Sequence, residues 1–245
     1  MDVNPQAALQ MGQRAPALSW RWTIFLVIVT AFFSNVFVAY CFDIVHLVLF
    51  GYPSINSSIW SLASGGLSIV LQTAFLAAFV PSNGCRSKEY FGLQLPKKPR
   101  YAIIGITAVI GLLLLRLTFL ARTSSPVIMP DVLEEYRAAK DAGAFSILFF
   151  ALVVIYPLGE ELIFRGFMFR GLENTRIGKT GAIVVTALMW SATHTPYVLS
   201  YLFWVFIDGL LLGWIRSRTE SVLGTSIAHM GLNLIVLIEA SLIVA

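Results

Sequence analysis

The sequence predicts an all-α, polytopic membrane protein with about seven transmembrane helices, and three observations carry that reading. First, 58% of the 245 residues are hydrophobic and only 12% are charged, about half the charge of an average soluble domain. Second, the apolar runs are long. Lipid-facing strands would leave shorter, alternating segments, and helices are the other way to satisfy every backbone polar group in a bilayer. Third, the positive charges are uneven along the chain. With the N-terminus placed in the cytosol, most of the 17 Lys and Arg fall in cytosolic segments, and only Arg122, Arg137 and Lys140 fall outside. The net charge of +4 is therefore a topology signal, and a nucleic-acid partner is not indicated.

A spanning helix needs roughly 20 mostly apolar residues. Seven segments qualify in order: 22–46, 57–80, 101–121, 145–172, 179–195, 197–215 and 222–244. The first is too long for the core of a signal peptide, so residues 1–21 read as a short cytosolic tail. His46 and Asp43 close that helix and read as interfacial. The basic turn "LQLPKKPR" leads into the third segment as a cytosolic marker, with anionic membrane lipids as a lesser reading. Residues 122–144, with "SSP" and "DVLEEYRAAKDAG", read as a polar connecting loop carrying a short surface helix. This divides the chain into a tail with three helices (1–121), that connection (122–144), and a C-terminal core (145–245). Cys41 lies in a helix and Cys85 in a loop, with no CxxC or Cys/His cluster, so neither a disulfide framework nor a structural zinc site is indicated.

Ionisable residues inside a membrane are costly and mark functional sites by default. Glu160, Glu161, Arg165, His194 and His229 stand out, joined by Asn233. Glu161 and Arg165 are spaced i, i+4 on one helical face and read as an ion pair. Glu160 points about 100° away and must find its partner on another helix or in water. Pro157 and Gly159 just upstream are placed to bend the helix and open space there. The midpoint between Glu160 and His194 falls at Ile177, in the turn "ENTRIGKTG". A helical hairpin folded there brings carboxylate and imidazole to one height, roughly 25 Å from the turn at about 1.5 Å per residue. Trp190 precedes His194 by one turn on the same face. His229 and Asn233, again i, i+4, put two hydrogen-bond donors on one face of the last helix. They suit a developing oxyanion, or interhelical hydrogen bonding alone.

"EELIFRG", the histidine of "MWSATH" and "HMGLN" resemble the three motifs of the CAAX-protease and bacteriocin-processing (Abi) family of intramembrane proteases: Glu-Glu-x-x-x-Arg, Phe-x-x-x-His and His-x-x-x-Asn. The resemblance covers about residues 145–244. Trp190 stands where the second motif usually has Phe, and slightly different packing around His194 is the expected result. The resemblance implies a catalytic core in the last four helices and an intramembrane endopeptidase that hydrolyses a peptide bond. Glu160 and His194 would activate a water, with Glu160 as general base, and His229 and Asn233 would hold the oxyanion. Glu161, Arg165 and Trp190 would support the site. It further implies membrane-associated or lipidated peptide substrates and a metal-independent mechanism in a bacterial cytoplasmic membrane, with no cofactor. Zinc on one Glu and two His is the less favoured alternative, since no His-Glu-x-x-His signature occurs. Two other readings use the same residues. A transporter or proton relay is disfavoured because the polar residues cluster in the last four helices only. A non-catalytic membrane partner, such as an immunity factor or sensor-kinase regulator, is the stronger alternative.

Overall fold

In a computed structural model the described residues are 18–51, 58–80, 87–123, 130–194 and 199–244. Most of the tail, Cys85, and Pro196 beyond His194 lie outside them. Helices form at all seven expected segments. With α3 and α5, which lie between those segments, the helices are α1 (Trp20–Phe50), α2 (Ser58–Ala78), the short α3 (Ser87–Phe91), α4 (Pro99–Thr123), α5 (Pro130–Asp141), α6 (Phe145–Glu173), α7 (Gly178–Ala192), α8 (Leu199–Thr219) and α9 (Val222–Val244). Among the described residues no strand forms. The chain is an integral membrane protein: α1, α6, α9 and the Trp60–Ala78 part of α2 are long and apolar enough to cross a bilayer. Among the described residues α7 and α8 are not counted with these four.

The exterior is apolar as lipid requires. Phe32, Phe33, Phe37, Val48 and Leu242 are all exposed. Inside, one core joins Leu26 of α1, Phe91 of α3, Phe167 and Phe169 of α6, Trp190 of α7, Leu212 of α8 and Leu232 of α9. A second core joins Leu62, Val132 and Ala139 of α5, Leu148, Leu152 and Val236. Its membership corrects the reading of 130–141 as a surface helix. Val132 and Ala139 are buried, and α5 packs between α2 and α9, because its apolar stripe faces inward while Arg137 and Lys140 face away. His46 is likewise buried, with its ring edge-on to Trp60 at 5.3 Å.

Helix α6 carries the fold's main irregularity. Two π-helical stretches, Phe150–Ile155 and Glu161–Met168, flank an α-helical turn at Tyr156–Glu160. The local change anticipated near Pro157 and Gly159 takes this form. π-helical turns are rare and leave backbone groups out of the ordinary ladder, often at functional sites. Side chains take up two of the groups. The Asn233 amide donates to the Leu152 carbonyl at 2.8 Å, and Arg216 Nε donates to the Arg165 carbonyl at 2.8 Å. Gly159 lets α6 approach α2, since a Cβ there would stand 2.8 Å from Ile69.

Candidate active site

The centre of the site is Trp190. Its indole N–H donates to Glu160 Oε2 at 2.7 Å, its ring meets His194 edge-on at 5.1 Å and His229 edge-on at 5.0 Å, and the Arg165 guanidinium lies over it at 4.8 Å. One indole thus touches four of the polar residues singled out in the sequence. The replacement of Phe by Trp is more than a packing change, because Phe has no N–H to offer the carboxylate.

Beneath Glu160 lies a fully buried group. Arg165 donates to Glu161 Oε1 at 2.8 Å, and both side chains are entirely buried. The same oxygen is 3.1 Å from His229 Nδ1. A carboxylate accepts, so Nδ1 carries the proton and Nε2 is directed upward, 3.8 Å from Glu160 Oε2. Arg165 also donates to the Gly209 carbonyl at 3.1 Å. Glycine is required there, since a Cβ at Gly209 would stand 2.9 Å from Ala187 and push α8 away from α7. The ion pair expected from spacing alone is therefore a three-membered chain, Arg165–Glu161–His229. It is tied to α8 by hydrogen bonds that a charged, desolvated pair needs.

His194 is oriented by its own helix. Its Nδ1 lies 2.9 Å from the Trp190 carbonyl, which can only accept, so Nε2 bears the lone pair of the neutral ring. Glu160 bonds the Trp190 indole, one turn before His194, and shares two cavities with His194.

A cavity of about 370 Å³ opens above this group, lined by Glu160, Trp190, His194, His229, Asn233 and Asp208 among others. It collects all four residues expected to do the chemistry. Sequence reasoning missed its other acidic residues. Asp131 and Glu135 reach it from α5, and Asp208 from α8. The signal available was their spacing: Asp131 and Glu135 are i, i+4 on the amphipathic α5. A second cavity of about 470 Å³ shares Tyr156, Glu160, Thr193 and His194 with the first and extends between α1 and α2 past Asn35, Ser68 and Gln72. Among the described residues no group of three His, Cys, Asp or Glu side chains is arranged to hold a metal ion.

Residues 142–235 match the family described as type II CAAX prenyl endopeptidase Rce1-like. This segment is similar to that family. The Rce1-like segment starts at the turn before α6 and ends within α9, so it contains Glu160, Glu161, Arg165, Trp190, His194, His229 and Asn233. Helices α1, α2 and α5, which complete the two cavities, lie outside it. The chain is also similar to the UPF0177 protein YxdF of Lactococcus lactis subsp. lactis (strain IL1403), 27% identical over 131 residues. That match covers 51% of this chain and 64% of YxdF, short of two thirds of its length. No solved structure matches the chain.

Proposed function

We propose that this protein is an intramembrane endopeptidase that hydrolyses peptide bonds with a water activated by Glu160 and His194. The observation that carries the reading is the placement of Glu160. Its Oε2 is anchored by Trp190, and its carboxylate borders a cavity that also holds His194, His229 and Asn233. The Rce1-like match over the same segment supports it. In this scheme one Glu160 oxygen stays on the indole while the other takes a proton from water. The water oxygen bonds the scissile carbonyl carbon, aided by His194 Nε2. The carbonyl oxygen becomes an oxyanion, met by the remaining Asn233 N–H and by His229 when its Nε2 is protonated. Glu160 then passes its proton to the amide nitrogen as the C–N bond breaks, leaving a carboxyl terminus and a free amine. Glu161, paired with Arg165, accepts from His229 Nδ1, which favours the charged ring and leaves Nε2 for the oxyanion.

The substrates in this reading are membrane-associated or lipidated peptides, because the site sits among apolar helices. The setting is a bacterial cytoplasmic membrane, crossed seven times with the N-terminus in the cytosol. The test is purification in detergent and incubation with a peptide library, with products read by mass spectrometry. Glu160→Gln runs in parallel, each with and without EDTA. Cleavage lost in Glu160→Gln and retained in EDTA is the expected result. Equal cleavage by folded wild type and variant overturns the proposal and favours a non-catalytic partner. Cleavage abolished by EDTA replaces the metal-independent scheme with a zinc site.

A further inference from the structure

The second cavity runs from Glu160 and His194 in between α1 and α2, two helices that lie outside the matched segment. Close contacts set its register against Glu160. The Tyr156 hydroxyl donates to the Leu62 carbonyl at 3.0 Å, a Cβ at Gly66 would stand 3.7 Å from Ile155, and one at Gly159 would stand 2.8 Å from Ile69. Helices α2 and α6 therefore run in the same direction here. Gln72, three residues past Ile69, stands within about one turn of Glu160, roughly 5 Å along the axis. On the α1–α2 side the cavity is lined by Asn35, Ser68 and Gln72. Ser68 donates to Asn35 Oδ1 at 2.9 Å, and the Asn35 amide donates to the Ala31 carbonyl at 2.8 Å, so both are engaged within the two helices. Gln72 is different. It is only 7% exposed, and its amide N–H donates to the Val27 carbonyl at 3.1 Å. A carbonyl only accepts, so the amide orientation is settled and Oε1 is turned the other way. Among the described residues no donor reaches that oxygen.

Resting on the endopeptidase reading, we infer that this cavity is a subsite for the extended backbone of the substrate, with Gln72 Oε1 accepting from one of its N–H groups. A peptide drawn among apolar helices has no water for its N–H groups, and a buried donor left unpaired is costly. Gln72 has the complementary need, a buried amide oxygen without a donor. Each group satisfies the other. The walls beside Gln72 include Val27, Ile28, Ile163 and Phe164, which suit an uncharged side chain next to that N–H. An extended chain advances about 3.3 Å per residue, so the N–H that meets Gln72 lies within about three residues of the scissile bond. Any residue except Pro supplies such a group, and the subsite therefore reads chain conformation before it reads sequence. Gln72 is a substrate-binding residue that α2 brings from outside the matched segment.

The test is a backbone scan with the full chain in nanodiscs. In a cleaved peptide each amide within three residues of the scissile bond, the scissile amide excepted, is replaced in turn by an ester. The ester removes the N–H and keeps the shape of the chain. Wild type is expected to lose about tenfold in kcat/KM at one position and little at the others. In Gln72→Met, which keeps the side-chain volume, the all-amide peptide is expected to fall by about the same factor, and the ester at that position to cost nothing further. The ester-to-amide ratio is taken within each protein, so a loss of folded protein cancels. A flat wild-type scan, or a ratio unchanged in Gln72→Met, overturns the inference while leaving the protease reading intact. Photo-crosslinking to wild type needs neither turnover nor a variant. Peptides carrying a diazirine side chain are expected to label α1 or α2 at the cavity-lining residues, and the unlabelled peptide to compete. Such labelling by peptides that are never cleaved upholds the subsite and sinks the protease instead, and labelling confined to other helices overturns the subsite.

Discussion

Trp190 of α7 donates its indole N–H to the Glu160 carboxylate at 2.7 Å, and this single bond fixes the proposed base between two cavities. Trp190→Phe restores the residue usual in the resembled motif, keeps most of the packing and removes the donor. A hydrogen bond to a charged group contributes about 1.5–3 kcal/mol. Turnover is therefore expected to fall by at least about tenfold, with a smaller change in KM. Peptide-cleavage kinetics on Trp190→Phe check it; an unchanged kcat would show that Glu160 orients itself without the indole.

Arg165 and Glu161 are both fully buried, and Glu161 also accepts from His229. Removing one member leaves an uncompensated charge, at a cost of about 3–5 kcal/mol. Arg165→Met is expected to lower the melting temperature in detergent sharply. Arg165→Met with Glu161→Gln is expected to recover part of the loss, since no charge is then stranded. A single variant as stable as wild type contradicts this.

Arg216 and Arg165 clasp α8 to α6 in both directions: Arg216 Nε donates to the Arg165 carbonyl, and the Arg165 side chain donates to the Gly209 carbonyl. Arg216→Gln is expected to cost about 1–3 kcal/mol by leaving a buried carbonyl without its donor. It should also raise amide hydrogen exchange across Glu161–Met168 more than in α1. Uniform exchange throughout the chain would rule out the clasp as a local restraint.

Glu135 gives the protein a pH dependence of unusual sign. Its folded pKa of about 8 lies above the ordinary 4.5, chiefly through burial. The folded state thus holds a proton that the unfolded state releases above 4.5. The stability this group contributes is complete below about pH 4.5, is lost as pH rises toward 8, and changes no further above that. The groups facing it are Asp131 on its own helix, Tyr156 and Glu160 on α6, Asp208 on α8 and His229 on α9. Glu135→Gln is expected to remove this slope, so that the variant gains on wild type between pH 5 and pH 8 in thermal unfolding. Parallel curves for the two proteins would show that Glu135 titrates normally.

Much of this fold is legible in the chain because its solvent is lipid. Long apolar runs leave helices as the main choice, and α1, α6 and α9 lie within a few residues of the expected bounds. The site was legible residue by residue for a related reason: Glu160, His194 and His229 are too costly in such helices to pass unnoticed. Their wiring was not. The spacing of Glu161 and Arg165 gave the pair, while His229 as its third member required α9 to cross α6. Helix α5 read as surface because its composition is polar, and its buried Val132 and Ala139 emerge only when α2 and α9 flank it.

The sequence alone determined the helical class, the residues that carry charge into the membrane, and the pairing of Glu161 with Arg165, because hydrophobic length and i, i+4 spacing are local properties. Only the tertiary structure decided that Glu160 bonds the Trp190 indole. It also decided that Asp131, Glu135 and Asp208 share a cavity with Glu160. Both outcomes depend on which helices close around Glu160. Those are sums over contacts between distant segments, and no local pattern encodes them.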